Sequence, residues 1–481
     1  MTGLATFGYR SPWQCKVFAM DTLIMEDFRC FAGRHEIPLA PLTLLVGENS
    51  SGKTSFLAAV RLAWDAVSRH RLDSRIDVNE APFQLGAFEQ VAHVSPSGRA
   101  AKRFILGLYA TFQLGLADNL RASRARVSPA LAKHGFEKEY ANHDGMPQES
   151  RTIVRTGSGH DHLGYSLKVT ERAGGRIELH HGSQRWISKN VETLYDLFFG
   201  GGDGRRSVKT PPTAWLDLPP EHLAAAQALA SALGSGSIGA NRPHAFAAVR
   251  SKPERTYDPL RADLDDEGQR AALRLAQHVA LHPGGRAVAD LTEFGARSGL
   301  FESIDVRLFG SIADPFQIHF QVNSVLRNIV DVGYGVSQVF PILVELLVPQ
   351  PNEGRYNIVG GTNTYLIQQP EVHLHPQAQA ALGSLFGSLA SRDRQIIVET
   401  HSDYIIDRVR MDIRDGKGVK PEDVSLLYFE PTKVGTMIHR LRFTEDGEVC
   451  GIGENGEDTD VPPGYRAFFL KESLRLFTGL E

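Results

Sequence analysis

Residues 42–54 read LTLLVGENSSGKT, and no other stretch indicates the architecture as strongly. Its first five residues, Leu42 to Val46, form a short apolar run of the kind that becomes a strand buried on both faces. A match to the pattern G-x-x-x-x-G-K-[ST] follows, and apolar residues then recur at helical spacing from Phe56 to Val67. A strand, a glycine-rich loop and a helix in this order are typical of a loop that binds the phosphates of a nucleotide.

The chemistry of this loop explains its composition. The glycines let the backbone curl so that its N–H groups point at phosphate oxygens, and the helix that follows adds its positive N-terminal end. Lys53 can reach the β- and γ-phosphates, and the hydroxyl group of Thr54 can ligate Mg²⁺. We therefore expect a nucleoside triphosphate and Mg²⁺ here. The residues expected to bind the nucleotide are Gly47, Asn49, Ser50, Ser51, Gly52, Lys53, Thr54 and Ser55.

The composition is that of a globular protein with one or a few domains. The chain has 481 residues, of which 42% are apolar and 22% charged, so it can bury a sizeable core. Its net charge of −4 excludes a bulk polycation, and three scattered cysteines (Cys15, Cys30 and Cys450) indicate neither a disulfide framework nor a zinc site. Without a long apolar run or a visible secretory signal, we expect no membrane partner and a reducing, cytoplasmic location.

Three downstream segments complete a candidate nucleotide site. DVGYGVSQ at 331–338 places two glycines before a serine at a helix start, which makes a second backbone anion site. LIQQPEVHLHP at 366–376 puts the carboxylate of Glu371 just after an apolar strand, where a phosphate-loop ATPase needs one to orient water or hold Mg²⁺. ETHSD at 399–403 ends another strand, and its His401 can reach a γ-phosphate.

These motifs, in this order, resemble those of ATP-binding-cassette (ABC) type AAA ATPases of the OLD, SMC and RecF kind. The resemblance covers about residues 17–118 and 300–481. It implies an α/β fold: an ABC-type phosphate-loop ATPase head, with a mixed β-sheet and flanking helices, interrupted by a mainly helical insertion. It also implies ATP as the nucleotide.

The same resemblance implies roles for individual residues in a homodimer that sandwiches ATP. Ser337 would contact the γ-phosphate held by another subunit, Glu371 would be the catalytic carboxylate, and His401 would be the switch histidine. Gly335, Gln338 and Gln369 would join in binding the nucleotide, and His373 and His375 would lie in a loop across the dimer interface.

Changes of pattern along the chain divide it into four parts. Residues 1–185 are assigned to the N-terminal half of the ATPase head with a β-rich lobe, 186–300 to the helical insertion, 301–430 to the C-terminal half of the head, and 431–481 to a hairpin-rich tail ending in a helix. In the third part, the pattern predicts strands over 365–367, 395–400 and 424–429, and helices over 376–390 and 402–412.

The chain departs from the ABC pattern at Gln368 and Gln369. Typical ABC heads have Asp-Glu there, and glutamine holds Mg²⁺ less strongly than a carboxylate does. Gln368 is therefore only a weak candidate ligand for Mg²⁺ beside Thr54. We expect slow ATP hydrolysis, with Glu371 as the main acidic residue and ATP acting partly as a clamp.

A finer resemblance is to the ATPase subunits of PARIS anti-phage systems. The segments that carry it are 82–93, 98–104, 248–259, 298–310, 331–338 and 368–379. It implies a higher homo-oligomer that senses a phage-encoded trigger and that holds and releases a TOPRIM-type nuclease. The chain stops too early to contain such a nuclease domain, so we expect this effector in trans.

Two other functions remain alternatives. A DNA-repair or DNA-clamp ATPase of the RecF or SMC kind would need a basic channel and DNA-stimulated hydrolysis, and the net charge of −4 argues mildly against it. A nucleotide-gated scaffold with little hydrolysis is suggested by Gln368 and Gln369.

Some weaker signals have both a functional and a structural interpretation. Basic clusters at 121–126, 204–209 and 250–256 could touch nucleic-acid phosphates, with Arg250 and Arg255 as first candidates, but solvated faces or ion pairs explain them equally well. The other such candidates are His160 and His162 (metal or solvated turn), His373 and His375 (metal or interface loop), Gln90 (Mg²⁺ sensing or surface), and Phe28 and Phe31 (adenine cover or core). For this second group the structural interpretation is preferred.

Overall fold

The structure is a computed structural model that describes residues 13–68, 76–116, 131–156, 165–170, 176–181, 184–188, 242–263, 266–349, 363–453 and 456–465. In chain order the strands are β1 (Trp13–Phe28), β2 (Phe31–Pro38), β3 (Leu42–Gly47), β4 (Arg103–Leu116), β5 (Leu131–His143), β6 (Met146–Thr156), β7 (Tyr165–Thr170), β8 (Arg176–His181), β9 (Gln184–Ser188), β10 (His244–Phe246), β11 (Ser303–Leu308), β12 (Phe316–Val322), β13 (Val325–Asn328), β14 (Asn363–Gln368), β15 (Arg394–Glu399), β16 (Val424–Pro431), β17 (Thr436–Phe443), β18 (Val449–Ile452) and β19 (Asp458–Thr459). The helices are α1 (Lys53–Ser68), α2 (Phe88–Val91), α3 (Glu267–Leu281), α4 (Arg286–Ser298), α5 (Tyr334–Leu347), α6 (Pro376–Leu389) and α7 (Asp403–Arg414).

The central sheet carries the candidate site. Its strand order is β10-β14-β15-β3-β16-β17-β18-β19; the first five strands are parallel and the last three continue as antiparallel neighbours. β3, β14 and β15 are almost entirely buried, as their apolar runs predict. Because the carboxyl ends of parallel strands lie at one edge of a sheet, the segments after β3, β14 and β15 meet there.

The central sheet separates two hydrophobic cores, since its side chains alternate between the two faces. Leu45, Leu366 and Ile397 belong to the first core, which also contains residues of α1, β1 and β4. Leu44 and Ile367 belong to the second core, which is formed with helices α3 to α7. Because successive side chains of a strand point to opposite faces, and both faces of this sheet are covered, its central strands carry apolar side chains on both faces.

Two antiparallel sheets flank the central one. The larger has the order β2-β1-β4-β5-β6-β7-β8-β9, and its strands β1, β4 and β5 pack against α1. The smaller has the order β11-β12-β13 and packs against α3 and α4. The α/β class is confirmed by this arrangement, as are the strands and helices predicted between 365 and 429.

The segment 186–300, expected to be a mainly helical insertion, is only partly described. Residues 189–241 lie outside the described residues, and so do residues 466–481 of the expected C-terminal helix. Within 242–300, α3 and α4 are helical, but β10 is the edge strand of the central sheet and pairs in parallel with β14. Strands of the central sheet thus resume at His244. In the described part of the chain, no helix has the length and apolar character to cross a membrane.

Candidate functional site

The phosphate loop joins β3 to α1 through a turn that needs glycine at two positions. Gly47 and Gly52 have φ values of 143° and 103°, in the region that favours glycine. A Cβ atom at Gly47 would lie 2.5 Å from the carbonyl oxygen of Phe429, and one at Gly52 would collide with Sγ of Cys30. Strand β16 and the turn between β1 and β2 therefore hold the loop in its curled form.

Lys53, the first residue of α1, folds back across the loop. Its Nζ atom donates hydrogen bonds to the carbonyl oxygens of Gly47 (2.9 Å) and Glu48 (2.7 Å). The residue is only 3% exposed, and this burial lowers the pKa of the ammonium group, whereas the carboxylates of Glu399 and Glu371 oppose the shift. A cation held at the centre of a curled loop is suited to binding phosphate oxygens.

The other residues predicted to bind nucleotide in this loop differ in how exposed they are. Asn49, Ser50 and Thr54 are exposed, while Ser51 is buried and Ser55 half-buried. A cavity of about 780 Å³ opens over the loop, a volume typical of small-molecule sites. Its lining includes Arg29, Cys30, Ser50, Gly52, Lys53, Thr54, Ser55, Gln90, His93, Glu399 and Lys433.

Thr54 connects the loop to the end of β15. Its Oγ1 atom donates a 2.8 Å hydrogen bond to Oε2 of Glu399. Burial raises the pKa of Glu399, and the bond from Thr54, the charge of Lys53 and a side-chain hydrogen bond from Gln369 oppose this. Gln369, which has a φ of 40°, also donates its backbone N–H to the Glu399 carbonyl oxygen at 2.8 Å.

No role was predicted for Glu399, and strand order explains why. β15 lies between β3 and β14, so its last residue adjoins the phosphate loop although Thr54 and Glu399 are far apart in sequence. The signal that could have identified it is a carboxylate at the end of a buried apolar strand. The hydroxyl of Thr54 and the carboxylate of Glu399 are hard oxygen donors, which fit Mg²⁺. Mg²⁺ usually takes one or two carboxylates with phosphates and waters, so a cluster of three acidic or histidine ligands, which the described residues lack, is not required.

Glu371 and His401 meet at the same edge of the sheet. Oε1 of Glu371 accepts a 2.6 Å hydrogen bond from the backbone N–H of His401. Its Oε2 atom is buried and has no hydrogen-bond partner among the described residues. Burial raises the pKa of Glu371, and the bond from His401 opposes this; burial and then the charge of Lys53 lower the pKa of His401. A buried carboxylate with a raised pKa is typical of a site that moves protons.

Residues 331–338, which we call the signature segment, span the start of α5. A Cβ atom at Gly335 would lie 2.6 Å from the carbonyl oxygen of His373, so glycine lets the helix approach the loop before α6. Ser337 is 5% exposed, and its Oγ donates to the carbonyl oxygen of Tyr334 at 2.8 Å. Among the described residues that line the phosphate-loop cavity, none belongs to the signature segment. Glu371 and His401 are not among these lining residues either.

Gln338 and Arg250 form a buried pair beside Glu371. The amide of Gln338 accepts from the backbone N–H of Arg250 (2.9 Å) and donates to its carbonyl oxygen (3.2 Å), so the glutamine predicted to bind nucleotide is engaged within the chain. The Arg250 side chain donates to the carbonyl oxygen of Gln368 at 2.9 Å. Burial lowers the pKa of Arg250 to about 10, with Glu267 opposing the shift. At 3% exposure, Arg250 is not available to DNA phosphates, contrary to its selection as a first candidate.

The remaining sequence candidates have structural partners. His375 caps α6, and its ring accepts a hydrogen bond from the backbone N–H of Ala378. The ring of His373 packs edge-on against that of Tyr334, with 4.7 Å between the ring centroids. Gln90 Oε1 accepts from the N–H of Ala87 at the start of α2. Phe28 and Phe31 are fully buried, so core packing is their use. Arg255 is exposed and makes two hydrogen bonds with Asp331. The basic clusters at 121–126 and 204–209, and His160 and His162, lie outside the described residues.

Three solved structures of SMC heads are similar to the chain at low identity. The SmcHead bound to the C-winged helix domain of ScpA aligns with a TM-score of 0.41 and 11% identity, over 88% of this chain and 98% of that one. An Smc head domain with an extended coiled coil, bound to the C-terminal domain of ScpA from Pyrococcus furiosus, aligns with a TM-score of 0.42 and 11% identity, over 89% and 97%. The SMC head domain of Thermotoga maritima aligns with a TM-score of 0.35 and 12% identity, over 87% of this chain and 98% of that one.

Two family models match parts of the chain, and no curated protein matches it. Residues 22–95 match a model described as "AAA domain", and residues 287–407 match one described as "AAA domain, putative AbiEii toxin, Type IV TA system". The first segment contains the phosphate loop, and the second contains the signature, Glu371 and His401. The phosphate loop and the downstream candidate residues therefore lie in two separate segments that are each similar to AAA domains.

Proposed function

We propose that the chain is an ATP-binding, slowly hydrolysing ABC-type ATPase. The observation that carries this proposal is the convergence of side chains from three strand ends at one edge of the central sheet. Lys53 and Thr54 follow β3, Glu371 follows β14, and His401 follows β15; the hydrogen bonds Thr54–Glu399 and His401–Glu371 tie these strand ends together. The charge of Lys53 also acts on His401 and Glu399, so the groups share one electrostatic environment.

Bound MgATP would supply the phosphoryl group and offset part of its charge. Lys53 and the backbone of the loop would hold the β- and γ-phosphates, and the hydroxyl of Thr54 would hold Mg²⁺, with Gln368 as a weaker ligand. Glu371 would orient the attacking water and take its proton at Oε2, because that oxygen is otherwise without a partner among the described residues. His401 would donate to the γ-phosphate as a neutral imidazole.

The signature segment supports a site shared between two copies of the chain. Gly335 and Ser337 lie at the N-terminal end of α5, a natural anion site, and they do not line the cavity of their own chain. In a homodimer each chain would offer this end to the nucleotide held by its partner. Because Ser337 Oγ bonds to the Tyr334 carbonyl oxygen, it would have to rotate when it engages a phosphate.

We further propose that this ATPase serves an anti-phage defence system in the cytoplasm. The support is the resemblance of six sequence segments to PARIS ATPase subunits. In this proposal a higher homo-oligomer holds a TOPRIM-type nuclease in trans and releases it when a phage product is sensed. Slow hydrolysis suits such a sensor, because the ATP-bound assembly must persist until the trigger arrives.

Single-turnover hydrolysis of radiolabelled ATP by the purified chain tests the proposed activity. We expect Lys53→Ala to lose nucleotide binding, and Glu371→Gln to bind ATP but cleave it about 100-fold more slowly, since a general base contributes about that factor. Lys417→Ala and Glu445→Gln, on the exposed surface, are the matched controls and should behave as wild type. Unchanged turnover in Glu371→Gln would refute the assignment. No single turnover in the wild type would favour the scaffold, and stimulation by DNA would favour the clamp.

The same variants test the defence role in cells. The chain is expressed with its native neighbouring genes and challenged with phage, and plaques are counted. Protection that is lost in Lys53→Ala but kept in Lys417→Ala would support the proposal. Equal plaque counts with and without the chain, over a broad phage panel, would contradict it.

A further inference from the structure

The end of β14 is where a carboxylate for Mg²⁺ was expected, and it carries two neutral amides instead. Gln368 is paired in register with Glu399 on the neighbouring strand β15. Residues paired in this way point to the same face of a sheet. The acidic group missing from one strand end is therefore present at the same level on the next strand, which is the one adjacent to β3.

Glu399 is also the carboxylate in contact with the expected metal ligand of the loop. Thr54 has one proton to donate, and it donates this proton to Oε2 of Glu399 at 2.8 Å. Both lone pairs of the Thr54 hydroxyl oxygen are then left for a cation. Carboxylate and hydroxyl oxygens side by side at the mouth of a phosphate loop are the ligand types that Mg²⁺ prefers.

The surroundings of Glu399 hold it in this position. The residue is 4% exposed, its carboxylate receives a side-chain hydrogen bond from Gln369, and its own carbonyl oxygen accepts the backbone N–H of Gln369 at 2.8 Å. Lys53 lies close enough to favour its ionised form. Glu371, by contrast, is engaged with the backbone of His401, so the two acidic groups have different partners.

We propose that Glu399 is the acidic residue of the Mg²⁺ site, in place of the carboxylate that β14 lacks at Gln368. This inference rests on the proposed nucleotide site. It assigns the two buried carboxylates separate tasks: Glu399 binds the cation together with Thr54, and Glu371 acts on water. Gln368 and Gln369 then contribute hydrogen bonds rather than charge.

Nucleotide binding, measured without turnover, tests this assignment. A fluorescent, slowly hydrolysed ATP analogue is titrated into each protein in EDTA and again over a range of free Mg²⁺. Mg²⁺ should increase the affinity for the analogue, and the measured quantity is the free Mg²⁺ concentration that gives half of this increase. For Glu399→Gln we expect that concentration to rise about 10- to 100-fold, the usual cost of losing a partner in a metal site. Affinity in EDTA should stay equal or increase, because a negative charge near the phosphates is removed. Glu445→Gln, on the surface, is the matched control.

A relocated carboxylate provides the second variant. In Gln368→Glu/Glu399→Gln the acid returns to β14, at the position paired in register with residue 399. We expect this double variant to recover the Mg²⁺ dependence that Glu399→Gln loses. Bound Mn²⁺, counted by electron paramagnetic resonance in the presence of the analogue, should follow the same order among the variants.

Three outcomes would overturn the assignment. The first is a wild-type Mg²⁺ dependence in Glu399→Gln. The second is an equal loss of affinity with and without Mg²⁺, which would make Glu399 a support of the loop. The third is a double variant no better than Glu399→Gln. Lys53→Ala, measured in parallel, distinguishes a wrong Mg²⁺ assignment from a wrong nucleotide site. Unchanged binding of the analogue by Lys53→Ala would overturn the proposed function itself.

Discussion

Glu371 combines burial with one oxygen that lacks a partner among the described residues, and in its proposed role as general base this sets how turnover should vary with pH. Its pKa is raised, so the protonated fraction grows as the pH falls from neutrality, starting above the usual range of glutamate. A general base works only when ionised, so turnover should fall on the acid side at a pH above about 4.3, the ordinary glutamate pKa. Burial and the charge of Lys53 lower the pKa of His401, so it should take up a proton only at a lower pH than an ordinary histidine does.

The measurement is the turnover number between about pH 4 and pH 8, with binding of the ATP analogue followed in parallel. Binding should change less than turnover. Turnover that stays flat on the acid side while binding holds would show that no buried carboxylate limits the reaction.

At the residue scale, local pattern predicted the loop and missed the contacts made across the sheet. Lys53 and Thr54 were identified because their spacing from Gly47 is itself the signal. Glu399 was missed because its role depends on β15 lying next to β3, which no local pattern contains. The contact between Gln338 and Arg250 was missed for the same reason, since the two residues are distant in sequence.

At the scale of elements, an ionic cluster joins α5 to its neighbours. Glu345, on α5, accepts from His244 of β10 and from Arg274 of α3, each at 2.7 Å. Burial disfavours its charge, but the hydrogen bond and charge of His244 and the charge of Arg274 outweigh burial and lower its pKa to about 2. The cluster therefore fixes the helix that carries the signature segment.

Glu345→Gln should destabilise the protein by about 3 kcal/mol at neutral pH, the usual cost of removing one partner of a buried ion pair. A carboxylate with a depressed pKa stabilises the fold above its unfolded pKa, and this contribution disappears as the pH falls towards 2. The difference between wild type and variant in urea unfolding should therefore shrink between about pH 4.5 and pH 2. Glu445→Gln is the control. If the difference in unfolding free energy between wild type and Glu345→Gln did not depend on pH, Glu345 would not stabilise the fold through its charge.

Elements with long, clean patterns were predictable, and short ones were not. β14, β15, β16, α6 and α7 follow apolar runs or helical spacing that local sequence shows directly. β10 has three residues, within a segment whose other described elements before residue 300 are helices, and only its pairing with β14 reveals that it belongs to the sheet.

At the scale of the whole molecule, we propose that two chains together complete each nucleotide site. In the proposed homodimer, the half with Lys53 on one chain would meet the half with Ser337 on the other. Lys53→Ala removes the first half. Ser337→Asp should disable the second by placing a negative charge against the phosphate, while the N-terminal end of α5 tolerates an acidic residue.

Neither variant alone should hydrolyse ATP, because each homodimer lacks a complete site. In an equal mixture, random pairing makes about half of the dimers mixed, and each mixed dimer has one complete site out of two. We therefore expect about a quarter of wild-type turnover in the mixture, from ATP held by the Ser337→Asp chain and facing Ser337 of the Lys53→Ala chain. Light scattering and exchange of differently tagged chains establish that mixed dimers form. If they form and turnover stays absent, the two halves do not act on one nucleotide, and a shared site is excluded.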